Sequence, residues 1–87
     1  ISILKIIEEI NSLNFKEIII LFKPQFEVGT LIKRDKKGVV KDEKAILLAR
    51  KKFLDKTEAL NWKLEKNSIS KLQGKDGNYE ELFYFSK

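Results

Sequence analysis

Cysteine, histidine and methionine are absent from this 87-residue chain, and it contains one proline and four glycines. Without cysteine or histidine there is no disulfide, no thiol nucleophile, no imidazole acid or base and no ordinary zinc site. Any chemistry must come from lysine, aspartate, glutamate, tyrosine or the backbone. The scarcity of proline and glycine leaves little room for linkers, and no internal repeat or low-complexity tract divides the chain, so residues 1–87 read as a single unit. No stretch approaches the roughly 18 consecutive apolar residues of a membrane-spanning helix. Arginine is scarce as well: with only Arg34 and Arg50, sixteen of the eighteen basic side chains are lysine. A chain without methionine that opens at Ile1, inside what already reads as structure, is expected to be an internal piece of a longer protein.

What is present is charge. Charged residues make up 36% and hydrophobic residues 43%, with a formal net charge of +5, which permits anionic partners without naming one. At this length folding hides only about 60 to 70% of the unfolded surface, enough for one core but not for a deep two-domain cleft.

Between Ser2 and Leu13, Ile3, Ile6, Ile7, Ile10 and Leu13 recur at the spacing of an amphipathic helix. Lys16 to Phe22 carries Ile18, Ile19, Ile20, Leu21 and Phe22 without alternation, the pattern of a parallel strand buried on both faces. Lys23-Pro24 ends it, because proline holds the preceding residue extended and cannot donate to a ladder. Gln25 to Lys41 reads as a long connection carrying Gly29, Gly38 and four clustered basic residues; connections of this length are usually functional or disordered. Asp42 suits an N-cap for a helix running to about Thr57 or beyond, with Ile46, Ala49 and Phe53 inward and Arg50, Lys51, Lys52 and Lys56 facing water. Asn61 to Ile69 begins as a strand with one wet face, Gln73 to Asn78 is rich in turn residues, and Glu81 to Phe85 is apolar on both faces, so this last strand is expected between neighbours. The expected fold is α/β: three strands, two helices and a terminal hairpin.

Open α/β sheets bind ligands beyond the carboxyl ends of their strands, where this reading puts Lys23. A lysine merely marking the strand's exit to solvent fits the same position. Glu80 and Glu81 precede the last strand and must point to opposite faces, so at most one faces a given site; a solvated strand entrance is the simpler reading. Lys33, Arg34, Lys36 and Lys37 form either a solvated loop or a phosphate-binding one. Phe26, in a loop beside Lys23, could stack on a base, whereas the other aromatic residues space as core. No glycine-rich phosphate loop, serine elbow or Glu-x-x-His helix occurs.

The segment Leu21-Phe22-Lys23-Pro24-Gln25-Phe26-Glu27-Val28-Gly29, followed by Gly38-Val39-Val40-Lys41-Asp42 and by Gly74-Lys75-Asp76-Gly77-Asn78-Tyr79-Glu80, resembles the TlyA family, whose members often carry the label hemolysin A. These proteins are related to FtsJ-type ribosomal RNA 2'-O-methyltransferases. The match is ordered and spans nearly the whole chain. It departs at Glu43 and Ile46, where the family commonly has proline and histidine, and at Lys71, where proline is frequent.

The resemblance implies the C-terminal part of a Rossmann-like, S-adenosylmethionine-dependent methyltransferase. Its local strand order would be 5-7-6, with the last strand antiparallel and the upstream cofactor-binding half outside the chain. It implies a Lys-Asp-Lys-Glu group in which Lys23 is the second lysine and Glu80 the glutamate, the aspartate lying just upstream of Ile1. In-line transfer of a methyl group to a ribose hydroxyl needs alignment and help with one proton, and no metal. A lysine in a desolvated crevice could act as base or stay charged and orient the oxygen, with a carboxylate fixing it.

Further expectations follow from the resemblance: ribosomal RNA as partner, a cytoplasmic location, no membrane, and an isolated piece without activity. The strand edge at Ile18 to Phe22 would invite pairing with another chain. Two other readings compete. One is a membrane-active hemolysin, which a short first helix without a strongly basic outer face supports little. The other is a non-catalytic RNA-binding α/β module.

Overall fold

In the computed structural model, which describes residues 2–29, 32–34, 36, 40–70 and 80–87, the longest element is α3 (Glu43–Ala59). Asp42 caps it as expected, its side chain accepting the amide of Ala45 at 3.0 Å. The helix ends in a Schellman motif: Trp62 N–H donates to Thr57 O and Asn61 N–H to Glu58 O, both at 2.9 Å. The motif requires a left-handed residue, here Asn61 at φ 63°, and asparagine tolerates that region better than other non-glycine residues.

A 3-10 turn (Ile3–Lys5) and α1 (Ile7–Ser12) take the place of one continuous first helix. The tighter first turn is where the side chain of Glu27 reaches in from elsewhere. Its carboxylate accepts the Ser2 hydroxyl at 2.8 Å and the Ile3 amide at 3.1 Å, the amide being a donor that a helix start leaves without an intrahelical partner. The long connection also contains a short helix, α2 (Pro24–Glu27), with Pro24 in the first turn, where its missing N–H costs nothing.

Strands β1 (Glu17–Phe22), β2 (Lys63–Ser70) and β3 (Glu80–Ser86) form one sheet in the order β1-β3-β2, with β3 antiparallel to both neighbours. The last strand is therefore central, as its apolar run implied. The expected turn at Gln73 to Asn78 lies outside the described residues.

On one face of the sheet, Ile20, Phe22, Phe83 and Phe85 pack with Ile7 of α1 and with Ala49 and Phe53 of α3. Phe53 is the hub, its ring centroid 5.2 to 5.9 Å from those of Phe22, Phe83 and Phe85. Trp62 closes one end against Phe85 and Phe15 and donates its indole N–H to Asn11 at 2.8 Å.

The other face corrects an expectation. β1 is buried on one side only: Ile20 and Phe22 are buried, while Ile19 is 68% exposed and Leu21 and Leu82 are exposed beside it. An unbroken apolar run predicts layers on both faces, and among the described residues only one layer is present.

Candidate site at the carboxyl end of the first strand

The antiparallel register pairs Phe22 with Glu81, and one step further along it Lys23 faces Glu80. Directly opposed residues share a face of the sheet. The Lys23 ammonium accordingly lies 3.7 Å from a Glu80 carboxylate oxygen, with the two side chains 36% and 30% exposed. Lys23 is extended (φ −113°, ψ 105°) at the entrance to α2, as Pro24 requires. Phe26, half exposed on the next turn, brings its ring within 5.8 Å of the same ammonium. Three of the residues singled out from sequence thus meet at one strand end. A lysine there, braced by a carboxylate and open to solvent, can present an amine or ammonium to an incoming hydroxyl.

The basic loop divides. Lys33 and Lys36 are exposed, and Lys37 lies outside the described residues. Arg34 turns onto its own loop and donates to the carbonyls of Ile32 (2.6 Å), Gln25 (2.7 Å) and Gly29 (3.2 Å). It braces the loop that follows α2. Glu27, the last residue of α2, instead ties that helix to Ser2 and Ile3.

Sequence reading missed a second cluster. Glu81, adjacent to Glu80, points to the covered face and is 6% exposed. It accepts a fork from Arg50, Nε at 2.8 Å and Nη2 at 3.0 Å, and a further bond from Asn67 Nδ2 at 2.9 Å. The Arg50 guanidinium stacks 5.4 Å from the Phe83 ring centroid, and its bonds to Glu81 push its pKa above the ordinary arginine value. Arg50 was expected in water. The usable signal was alternation: Glu81, Phe83 and Phe85 share one face, and a carboxylate in an aromatic row needs a partner. Beside this cluster opens a cleft of about 400 Å³, with Phe22, Pro24, Ile46, Leu47 and Ile69 among its walls.

The chain's four glycines, at positions 29, 38, 74 and 77, form no G-x-G-x-x-G run in the sequence. Among the described residues no group of three or more acidic side chains could hold a metal ion, and no helix is long and apolar enough to cross a membrane.

No family model matches the chain. The fold is that of two solved structures. A candidate hemolysin from Lactococcus lactis superposes over the whole chain and 42% of its own, with a TM-score of 0.84 and 28% identity. Another from Streptococcus thermophilus does so over the whole chain and 32% of its own, with a TM-score of 0.81; at 22% identity it speaks for the fold alone. All 87 residues align at 52% identity with the 23S rRNA (cytidine-2'-O)-methyltransferase TlyA of Campylobacter jejuni. They cover 34% of that protein, so the chain spans about a third of the length of this curated relative. An identity of 52% sustained over every residue, on a fold shared with the two bacterial structures, makes the chain similar from end to end to about a third of a TlyA protein.

Proposed function

We propose that this chain is the C-terminal, acceptor-side part of an S-adenosylmethionine-dependent 2'-O-methyltransferase acting on ribosomal RNA in the cytoplasm. In this reading Lys23 holds the ribose 2'-hydroxyl, as its base or as a hydrogen-bond donor to its oxygen, and Glu80 positions Lys23. The observation that carries it is the 3.7 Å contact between Lys23 and Glu80 at the carboxyl end of β1, in a chain 52% identical to an enzyme named for 2'-O-methylation of 23S rRNA.

The chemistry asked of these two side chains is modest. A hydroxyl becomes a useful nucleophile once it is aligned and its proton has an acceptor, and groups placed for that purpose typically contribute about 10²- to 10⁴-fold. The exposed ring of Phe26 beside Lys23 offers a stacking surface for the target base or its neighbour, and Lys33, Lys36 and Lys37 offer charge for the phosphates. Arg34 serves that loop by fixing its carbonyls. In this reading the donor is held by the remainder of the enzyme, and no step through it is assigned to this chain.

The test is Lys23→Ala in the full-length enzyme, assayed for methyl transfer to ribosomal RNA. Turnover is expected to fall by about 100-fold or more, with RNA affinity changed far less. Unchanged turnover overturns the assignment. In the same assay the 87-residue chain alone is expected to transfer no methyl group, and turnover by it would place donor binding within these residues.

A further inference from the structure

The covered face of the sheet holds a polar cluster that packing does not require. An apolar side chain at Glu81 would extend the aromatic row of Phe83 and Phe85, and a buried ion pair is often no more stabilising than apolar residues of similar size. The chain instead joins three elements at this point: Arg50 from α3, Asn67 from β2 and Glu81 from β3, through three bonds of 2.8 to 3.0 Å. The peptide that carries Glu81 also carries Glu80. Ladder partners flank this position on both sides, Phe22 on β1 and Ile69 on β2.

From this we infer that Glu81 is a positioning residue: gripped by Arg50 and Asn67 on the covered face, it fixes the start of β3 so that Glu80 meets Lys23 on the opposite face. The inference rests on the Lys23–Glu80 reading and deepens it. Glu80 stands at the first residue of its strand, where a ladder frays most easily, and its ion pair with Lys23 is too exposed to hold the strand end unaided. A fork onto a carboxylate fixes direction as well as distance, which a single lysine contact would not.

The experiment is a double-mutant cycle in the full-length enzyme, reading kcat and KM for ribosomal RNA. Glu81→Gln is expected to lower kcat by roughly 10-fold with KM within about twofold, because the acceptor group is misaligned while the RNA surface is intact. In a Glu80→Gln background the same change is expected to have no further effect on kcat. Arg50→Lys, which keeps the charge and loses the fork, should reproduce the loss in part and decides the matter if Glu81→Gln does not fold.

An unchanged kcat for both Glu81→Gln and Arg50→Lys overturns the inference. So does an equal loss in both backgrounds, which marks a merely structural role. Failure of the underlying reading looks different: Glu80→Gln and Lys23→Ala would then leave kcat intact whatever Glu81 does.

Discussion

The two faces of the sheet are made from the same three strands, yet they are finished differently. One face is closed within the chain: Ile20, Phe22, Phe83 and Phe85 lie under α1 and α3, and its buried carboxylate, Glu81, accepts three hydrogen bonds. The opposite face carries Ile19, Leu21, Leu82 and Tyr84 in matching register, apolar enough to be an interior but uncovered among the described residues. By strand alternation Lys23 and Glu80 lie on the open side. The stability of this unit and its proposed chemistry therefore sit on opposite faces of one sheet, a single peptide apart at Glu80 and Glu81.

The largest effect that would sharpen this contrast is on the covered face. Phe53→Ala removes the hub of the aromatic cluster from a fully buried position, and is expected to cost about 3–5 kcal/mol in urea unfolding of the chain. A loss under about 1 kcal/mol would mean that the cluster is looser than its ring contacts indicate.

Ile19→Lys, on the open face, should change stability by no more than about 0.5 kcal/mol, because the side chain is already mostly in water. It should also reduce self-association in sedimentation experiments, since Ile19 lies mid-strand on β1, whose only partner among the described residues is β3. A severe loss of stability would show that the face is covered after all.

The smallest effect concerns Tyr84, half-buried on the same face. Its hydrogen bond to Glu17 raises the phenol above the ordinary value of 10.0. The neutral phenol is the bonded form, so this contribution is complete below the unfolded pKa and is lost as pH rises through the folded one. Phenolate absorbance in a Tyr79→Phe background should therefore appear at higher pH than for a free tyrosine. Glu17→Gln should bring it back down, and an unshifted titration would remove the contact.

Several of these features were legible in the residues. Asp42 before an apolar-periodic run announced the cap of α3, Lys23-Pro24 announced the strand end, and the doubly apolar Leu82 to Phe85 announced a central strand. The meeting of Lys23 and Glu80 was reachable only through the family resemblance, because residues 57 positions apart share a site only when a register brings them together. Arg50 was misread because it borders the inward stripe of α3, where 3.6-residue periodicity cannot distinguish a side chain reaching water from one reaching across to β3. The reach of Glu27 to Ser2 and Ile3, and the short helix that carries it, left no periodic trace at all.

Hydrophobic spacing, a cap and a proline act over a few neighbouring residues, and so the order and kind of the three strands and the long helix could be derived from the linear chain. Which face of the sheet is covered, which carboxylate meets the lysine and which meets the arginine are set by contacts between elements distant in the chain. Those contacts depend on the relative placement of strands and helices, an outcome of packing the whole core together, with no local pattern to encode it.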